Sequence, residues 1–197
     1  MKRNLLIIAL VLIVDQVIKI WVKTNMMLGE DIRVFDWFII HFTENPGMAF
    51  GLSWGGDVGK YILTSFRMIA AVLIFIWLLK LVKEEVKTAA QIAIALIFAG
   101  AVGNLIDSLF YGLIFDHSYH QVAGFFPEGG GYAPMMLGKV VDMFYFPLID
   151  TILPEWVPFY GGEQFVFFRP VFNFADAAIS VGVGLLIIYQ KHIFKDR

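Results

Sequence analysis

Four apolar segments dominate this chain, at about residues 5–22, 61–82, 89–110 and 174–189. Each approaches the roughly 17–25 residues that a helix needs to cross the hydrocarbon core of a bilayer. Inside a bilayer every backbone N–H and C=O must find its partner within the segment, which restricts such stretches to helices. The expected fold is therefore an all-α membrane protein with four transmembrane helices, read as one domain over residues 1–197. Two long connections, about 23–60 and 111–171, lie between spans. The first contains Ile32–Phe42, rich in β-branched and aromatic residues with partial alternation, which predicts a strand or two. The second carries Gly129–Gly131, Gly161-Gly162 and several prolines, hence turns, and its many aromatic residues suit the membrane–water boundary. A small extracytoplasmic β-rich platform with long outer loops, 112–138 and 147–169, is the expected companion of the bundle.

Composition agrees. Hydrophobic residues make up 59% and charged residues 16%, against about half and about a quarter in soluble domains. A formal net charge of −2 gives no nucleic-acid footprint. The absence of cysteine excludes disulfides, thiolate metal sites and a cysteine nucleophile. His41, His117, His120 and His192 have no metal-ligand spacing, and no phosphate loop or dinucleotide fingerprint occurs, so no cofactor is expected.

Charge sets the expected orientation. Lys2 and Arg3 open the chain, Lys80, Lys83 and Lys87 cluster between the second and third segments, and Lys191, Lys195 and Arg197 close it. In a four-span bundle these groups share one side, which the positive-inside rule makes cytoplasmic. Both termini are then inside and the long connections outside. The first segment has the basic start of a signal peptide but no small-residue cleavage site, and reads as an uncleaved anchor.

Several polar residues fall where hydrocarbon should exclude them. Asp142 follows two valines in an apolar stretch, and Asp176 opens the last apolar run. A carboxylate at membrane depth is costly, so it is paired, hydrated or functional. Two such acids that face each other can share a proton and activate a water, as in aspartic proteases. Asp176 also has a plain structural explanation, because Asn173 suits a helix N-cap and an acid three residues on favours the helix dipole. In the first span Asp15 and Lys19 are four apart, on one helix face. In the third, Asn104 and Asp107 are one turn apart, beside Gly100 and Gly103, small residues that permit close helix packing. After the predicted strand comes Asn45-Pro46-Gly47-Met48-Ala49-Phe50-Gly51, a turn signal and also a backbone that a ligand can approach closely.

Taken in order, Asp15-Gln16-Val-Ile-Lys19, Asn45 to Gly51, Gly103-Asn104-Leu-Ile-Asp107, Val140-Val141-Asp142 and Phe172-Asn173-Phe-Ala175-Asp176 resemble the motifs of the bacterial lipoprotein signal peptidases (signal peptidase II). The likeness covers nearly the whole chain. It implies a membrane aspartic endopeptidase that cuts prolipoproteins just before a diacylglyceryl-modified cysteine, in the bacterial cytoplasmic (inner) membrane, with its active site at the outer face. It implies Asp142 and Asp176 as the catalytic dyad. Asp15, Lys19, Asn45, Gly47, Ala49, Phe50, Asn104, Asp107, Val141, Asn173 and Ala175 fall on the positions that support the dyad, the fold or the substrate. The partners implied are the lipid-modified precursor, membrane lipids and globomycin-type inhibitors. A four-span unit needs no second copy to contain both acids, so a monomer is expected. The family usually has Arg after the third-span Asp; here Ser108 stands there, and Lys139 or Arg169 is the expected substitute. The competing reading is a proton-coupled transporter that relays protons through Asp15, Lys19, Asp107 and Asp176.

Overall fold

The computed structural model describes residues 1–47 and 56–193. Ala49 and Phe50 of the turn motif lie outside the described residues. Helix α1 (Lys2–Asn25) leads into a hairpin of β1 (Asp31–Phe35) and β2 (Phe38–Asn45). Helices α2 (Gly56–Lys83) and α3 (Thr88–Ile106) follow, and α3 runs on through a π-helical turn (Asp107–Tyr111) into the one-turn α4 (Gly112–Ile114). Strand β3 (Val140–Tyr145), the hairpin β4 (Ile149–Ile152) and β5 (Gln164–Phe167), the short β6 (Val171–Phe172) and α5 (Phe174–Ile193) complete the chain.

Helices α1, α2 and the α3–α4 run are long and apolar enough to cross a membrane, and α5 holds a shorter apolar stretch, Phe174–Gln190. Their outward faces carry bare hydrocarbon, such as Leu6, Val17, Ile62, Phe66 and Leu73, as lipid contact requires. Between the helices a buried cluster joins Ile8 and Val11 of α1, Leu78 and Leu81 of α2, Ile94, Ala95 and Ala99 of α3 and Ala178 of α5. Small residues bring α3 and α5 close: a Cβ on Gly100 would stand 2.3 Å from the Ala175 carbonyl oxygen, and one on Gly182 would stand 2.7 Å from that of Ala93.

A small β-sheet accompanies the helices, with more strands than the one or two expected. Four antiparallel strands run in the order β1-β2-β3-β6, with β4-β5 as a separate hairpin. The β2–β3 register pairs Thr43 with Asp142 and Asn45 with Val140, so Asn45 and Asp142 share one face of the sheet. The opposite face packs Val141, Met143 and Phe42 onto Val22 and Met26 of α1 and onto Tyr111 and Phe115. The sheet is thus seated on the ends of α1 and α3 by the face opposite Asp142, and Asp142 turns instead toward Asn173 at the start of α5.

Candidate active site

Asp142 comes from β3 and is 4% exposed, while Asp176 sits in the first turn of α5 and is half-buried. Asn173 lies between them. Its Oδ1 accepts the N–H of Asp176 at 2.9 Å, and its own N–H donates to Asp176 Oδ2 at 3.3 Å, a reciprocal cap on α5. Its Nδ2 donates to Asp142 Oδ1 at 2.6 Å and to Asn104 Oδ1 at 3.0 Å. Asn104 in turn donates to Asp176 Oδ1 at 2.8 Å, and Asn45 donates to Asp142 Oδ2 at 3.2 Å. Two side-chain amides therefore link the two carboxylates. The helix-cap explanation of Asp176 is correct but incomplete, since the same cap residue also holds Asp142. Burial pushes the Asp142 carboxyl up to about 7 and the neighbouring charge of Asp176 adds to this, against the opposing hydrogen bonds of Asn45 and Asn173.

Below the pair lies a buried ionic cluster. Lys19 Nζ is 3.0 Å from Asp15 Oδ2 and 2.9 Å from Asp107 Oδ2, with all three side chains fully buried, and it donates to Asn104 Oδ1 at 2.8 Å. Gln16 donates to Asp15 and Asp107 at 3.1 and 3.0 Å, and Tyr111 from the π turn donates to Gln16 at 3.1 Å; nothing in its sequence context marks it beyond its place between Asp15 and Lys19. The cluster's carboxylates also hold the backbone beside each acid of the pair. Asp15 Oδ1 accepts the N–H of Ala175 at 2.9 Å, and Asp107 Oδ2 accepts that of Val141 at 3.2 Å. Gly103 admits this approach, because a Cβ there would stand 2.7 Å from Asp15 Oδ2 and 3.2 Å from the Ala175 Cβ. A π turn starts at Asp107, and such turns are frequent at functional sites.

The Asn-Pro-Gly turn meets the pair through Asn45, whose Oδ1 accepts the Gly47 N–H at 2.7 Å while its Nδ2 holds Asp142. Gly47 has φ of +91°, which a side chain would strain. Its carbonyl accepts from Arg67 Nη2 at 2.8 Å, and Arg67 Nη1 donates to Ser108 Oγ at 3.2 Å. This corrects one expectation. The cation that meets Ser108 is Arg67 of α2; Lys139 instead donates to Glu44 at 2.9 Å, and Arg169 is exposed. Arg67 lies inside the second apolar segment, whose mean hydropathy hides a single charge. The signal was there: an arginine within a span is as expensive as the aspartates that were singled out.

On the other face of the sheet Lys23 and Lys139 both pair with Glu44, and Lys23 donates to Ser118 at 2.8 Å. Burial favours a neutral Glu44, but the two ammonium groups outweigh it and hold the carboxyl below its usual range. This cluster ties α1, β2 and the 112–138 loop together beside the site. Among the described residues no group of three or more His, Asp or Glu is set to hold a metal ion.

The long apolar helices define a multi-pass membrane protein, with polar side chains gathered where bundle and sheet meet. The family model for Signal peptidase (SPase) II matches residues 7–192, and the chain belongs to that family of peptidases. It is 55% identical over 183 residues to the lipoprotein signal peptidase of Porphyromonas gingivalis, covering 92% of this chain and 80% of the relative. Against the lipoprotein signal peptidase of Amoebophilus asiaticus the identity is 40% over 188 residues, covering 92% and 75%. A solved bacterial membrane enzyme superposes with a TM-score of 0.61 at 26% identity, covering all of this chain and 93% of the other.

Proposed function

We propose that this chain is a membrane aspartic endopeptidase that removes the signal peptide from diacylglyceryl-modified prolipoproteins, cutting before the lipidated cysteine. Asp142 and Asp176 are its catalytic dyad. The observation that carries this reading is the pair itself: two carboxylates linked through Asn173 and Asn104, one of them pushed up to about 7. Two acids that hold one proton between them at neutral pH match the chemistry of water-activated amide cleavage.

The roles follow from the environments. Asp176, half-buried and at a helix N-terminus, is the ionised base that takes a proton from the attacking water. The oxygen of that water forms a bond to the scissile carbonyl carbon. Asp142, deeper in the protein, is the acid that protonates the carbonyl oxygen. Collapse of the tetrahedral species passes a proton to the cysteine nitrogen, breaks the C–N bond and restores the dyad. Asn45, Asn104 and Asn173 orient the two carboxyl groups, and the Lys19 cluster fixes the backbone that carries them.

The membrane placement rests on charge. Lys2, Arg3, Lys80, Lys83 and Lys87 mark the cytoplasmic side, so α5 completes a four-span bundle with both termini inside. The dyad then lies at the outer face of the bacterial inner membrane, where the precursor's lipid and signal helix stay in the bilayer while the scissile bond reaches the acids. A monomer contains the whole site, and globomycin-type cyclic peptides compete for it. Incubation of purified protein with a lipid-modified precursor, with and without globomycin, tests the reading. Inhibitable cleavage at the cysteine supports it; an intact precursor under conditions in which the P. gingivalis relative cleaves overturns it.

A further inference from the structure

A cavity of about 490 Å³ lies between the start of α2 and the 112–138 loop and has no part in the dyad's chemistry. Asp57 and Lys60 of α2, Pro46 after β2, and His117, Tyr132 and Lys139 line it. Hydrogen bonds fix its walls. Thr64, one turn along α2 from Lys60, donates to the Met136 carbonyl at 2.9 Å, and the Tyr132 hydroxyl oxygen accepts the Lys139 N–H at 2.7 Å. Lys60 is only 9% exposed, yet among the described residues its ammonium makes no ion pair and no hydrogen bond. A buried charge without a counter-charge is costly, so this position favours an incoming anion. The neighbouring charges leave room for one. Lys23 and Lys139 share the single carboxylate of Glu44, and Asp57 is exposed and forms no ion pair with Lys60. Three ammonium groups thus stand against two carboxylates around the cavity.

We propose that this cavity takes the side-chain carboxylate of an Asp or Glu close behind the cysteine in the precursor's mature chain, an inference that rests on the activity proposed above. Distance selects the occupant. Lys139 precedes Asp142 by three residues, ~10 Å at the rise of a strand. Lys60 precedes Arg67, which holds the turn beside the dyad, by seven residues of helix, again ~10 Å. An extended chain covers ~3.3–3.6 Å per residue, so the second to fourth residues beyond the cut reach that far. Direction agrees. Lys60 lies toward the end of α2 that carries the outer connections, and the mature chain must leave toward water while the signal helix stays in the bilayer. Pro46, in the cavity wall, directly follows Asn45, which holds Asp142, so cavity and site adjoin through one turn. A residue tethered to a bond already held in the site meets Lys60 at an effective concentration on the order of millimolar, which a free anion lacks.

The test compares lipid-modified precursors with Glu or with Gln at the second to fourth residues of the mature chain, in phosphatidylcholine vesicles. The wild type should show a KM about tenfold lower for the Glu precursor, the scale of one charged hydrogen bond, with kcat nearly equal for the two. Lys60→Met keeps the stem and removes the ammonium. It should raise KM for the Glu precursor to that of the Gln precursor and leave the Gln kinetics unchanged, whereas a merely structural role would impair both alike. Lys60→Arg should retain the preference, and Lys60→Glu should reverse it in favour of a precursor with Lys at those positions. Equal KM values in the wild type, or a preference that survives Lys60→Met, overturn the subsite even if cleavage stands. An effect of Lys60→Met that appears only when phosphatidylglycerol is added, and equally for both precursors, assigns the ammonium to a lipid phosphate and overturns it too. Failure of the wild type to cleave either precursor overturns the activity instead.

Discussion

Asp107 accepts the backbone N–H of Val141 at 3.2 Å, and Val141 is the residue immediately before Asp142. Asp15 does the same for Ala175, the residue before Asp176, at 2.9 Å. Lys19 bridges the two supporting acids, so one buried ammonium ties together the two chain segments that carry the proposed dyad.

Replacing Lys19 tests that arrangement. Lys19→Ala leaves Asp15 and Asp107 buried without their common cation, which costs on the order of 3–5 kcal/mol for a broken buried ion pair. The expected outcome is a clear drop in thermal midpoint and at least ~100-fold slower cleavage, since a misplacement of about an ångström costs that much. Unchanged kinetics in a folded variant would show that the cluster does not position the dyad.

Helix packing supplies a second prediction. A Cβ at Gly100 meets the backbone oxygen of Ala175 at 2.3 Å, a contact that backbone cannot relieve locally. Gly100→Ala should push the start of α5 outward and carry Asp176 with it. Cleavage should fall by ~100-fold, the cost of a displaced catalytic group. The same substitution at Gly184, further along α5, where nothing lies within 4 Å of the added Cβ and φ is not positive, should leave cleavage near wild type. Rates for both variants, measured on folded protein, decide the matter.

Much of this site was legible because charge in hydrocarbon is conspicuous. Asp142, Asp176, Asp15, Lys19 and Asp107 stood out by cost alone, and the Asn173 cap could be read from its spacing to Asp176. What joined them could not be read. That Asp107 reaches Val141, or that Asn173 serves both acids, depends on strand register and on a π turn, neither of which leaves a periodic signal. The apolar runs mark the helices only to within about five residues: α1 extends beyond its run at both ends, to Lys2 and Asn25, and α2 begins at Gly56, before the run that opens at about Tyr61. Arg67 was overlooked because hydropathy averages over a window, and one arginine disappears among its apolar neighbours.

Arg67 yields a third prediction. Its guanidinium joins the Gly47 carbonyl to Ser108, a forked geometry that lysine cannot reproduce. Arg67→Lys should lower kcat about tenfold or more, the loss expected when a charged hydrogen bond worth ~1.5–3 kcal/mol is removed. The exchange Arg67→Ser with Ser108→Arg returns the arginine to the position where the family usually carries it and should recover much of the activity. No recovery in a folded double variant would place the role of Arg67 elsewhere.

The pH dependence follows from Asp142. Its carboxyl titrates near 4 in an unfolded chain and at about 7 in the folded protein, raised by burial and by Asp176. The folded state therefore binds more protons between about pH 4 and 7, so this group's contribution to stability is full at low pH and is lost as pH rises through 7. Above that point the dyad loses its shared proton and both acids are ionised. The kcat/KM profile should decline on the alkaline side with a midpoint near 7, and a rate that keeps rising through pH 8 would contradict the assignment of Asp142 as the acid.

The most direct test of the account is the pair of variants Asp142→Asn and Asp176→Asn, each purified, reconstituted in vesicles and given a diacylglyceryl-modified precursor. Each replacement keeps the shape of the side chain and removes its proton chemistry. The account predicts cleavage before the lipidated cysteine by the wild type, and none by either variant although both insert and fold. Full processing by either variant would contradict it.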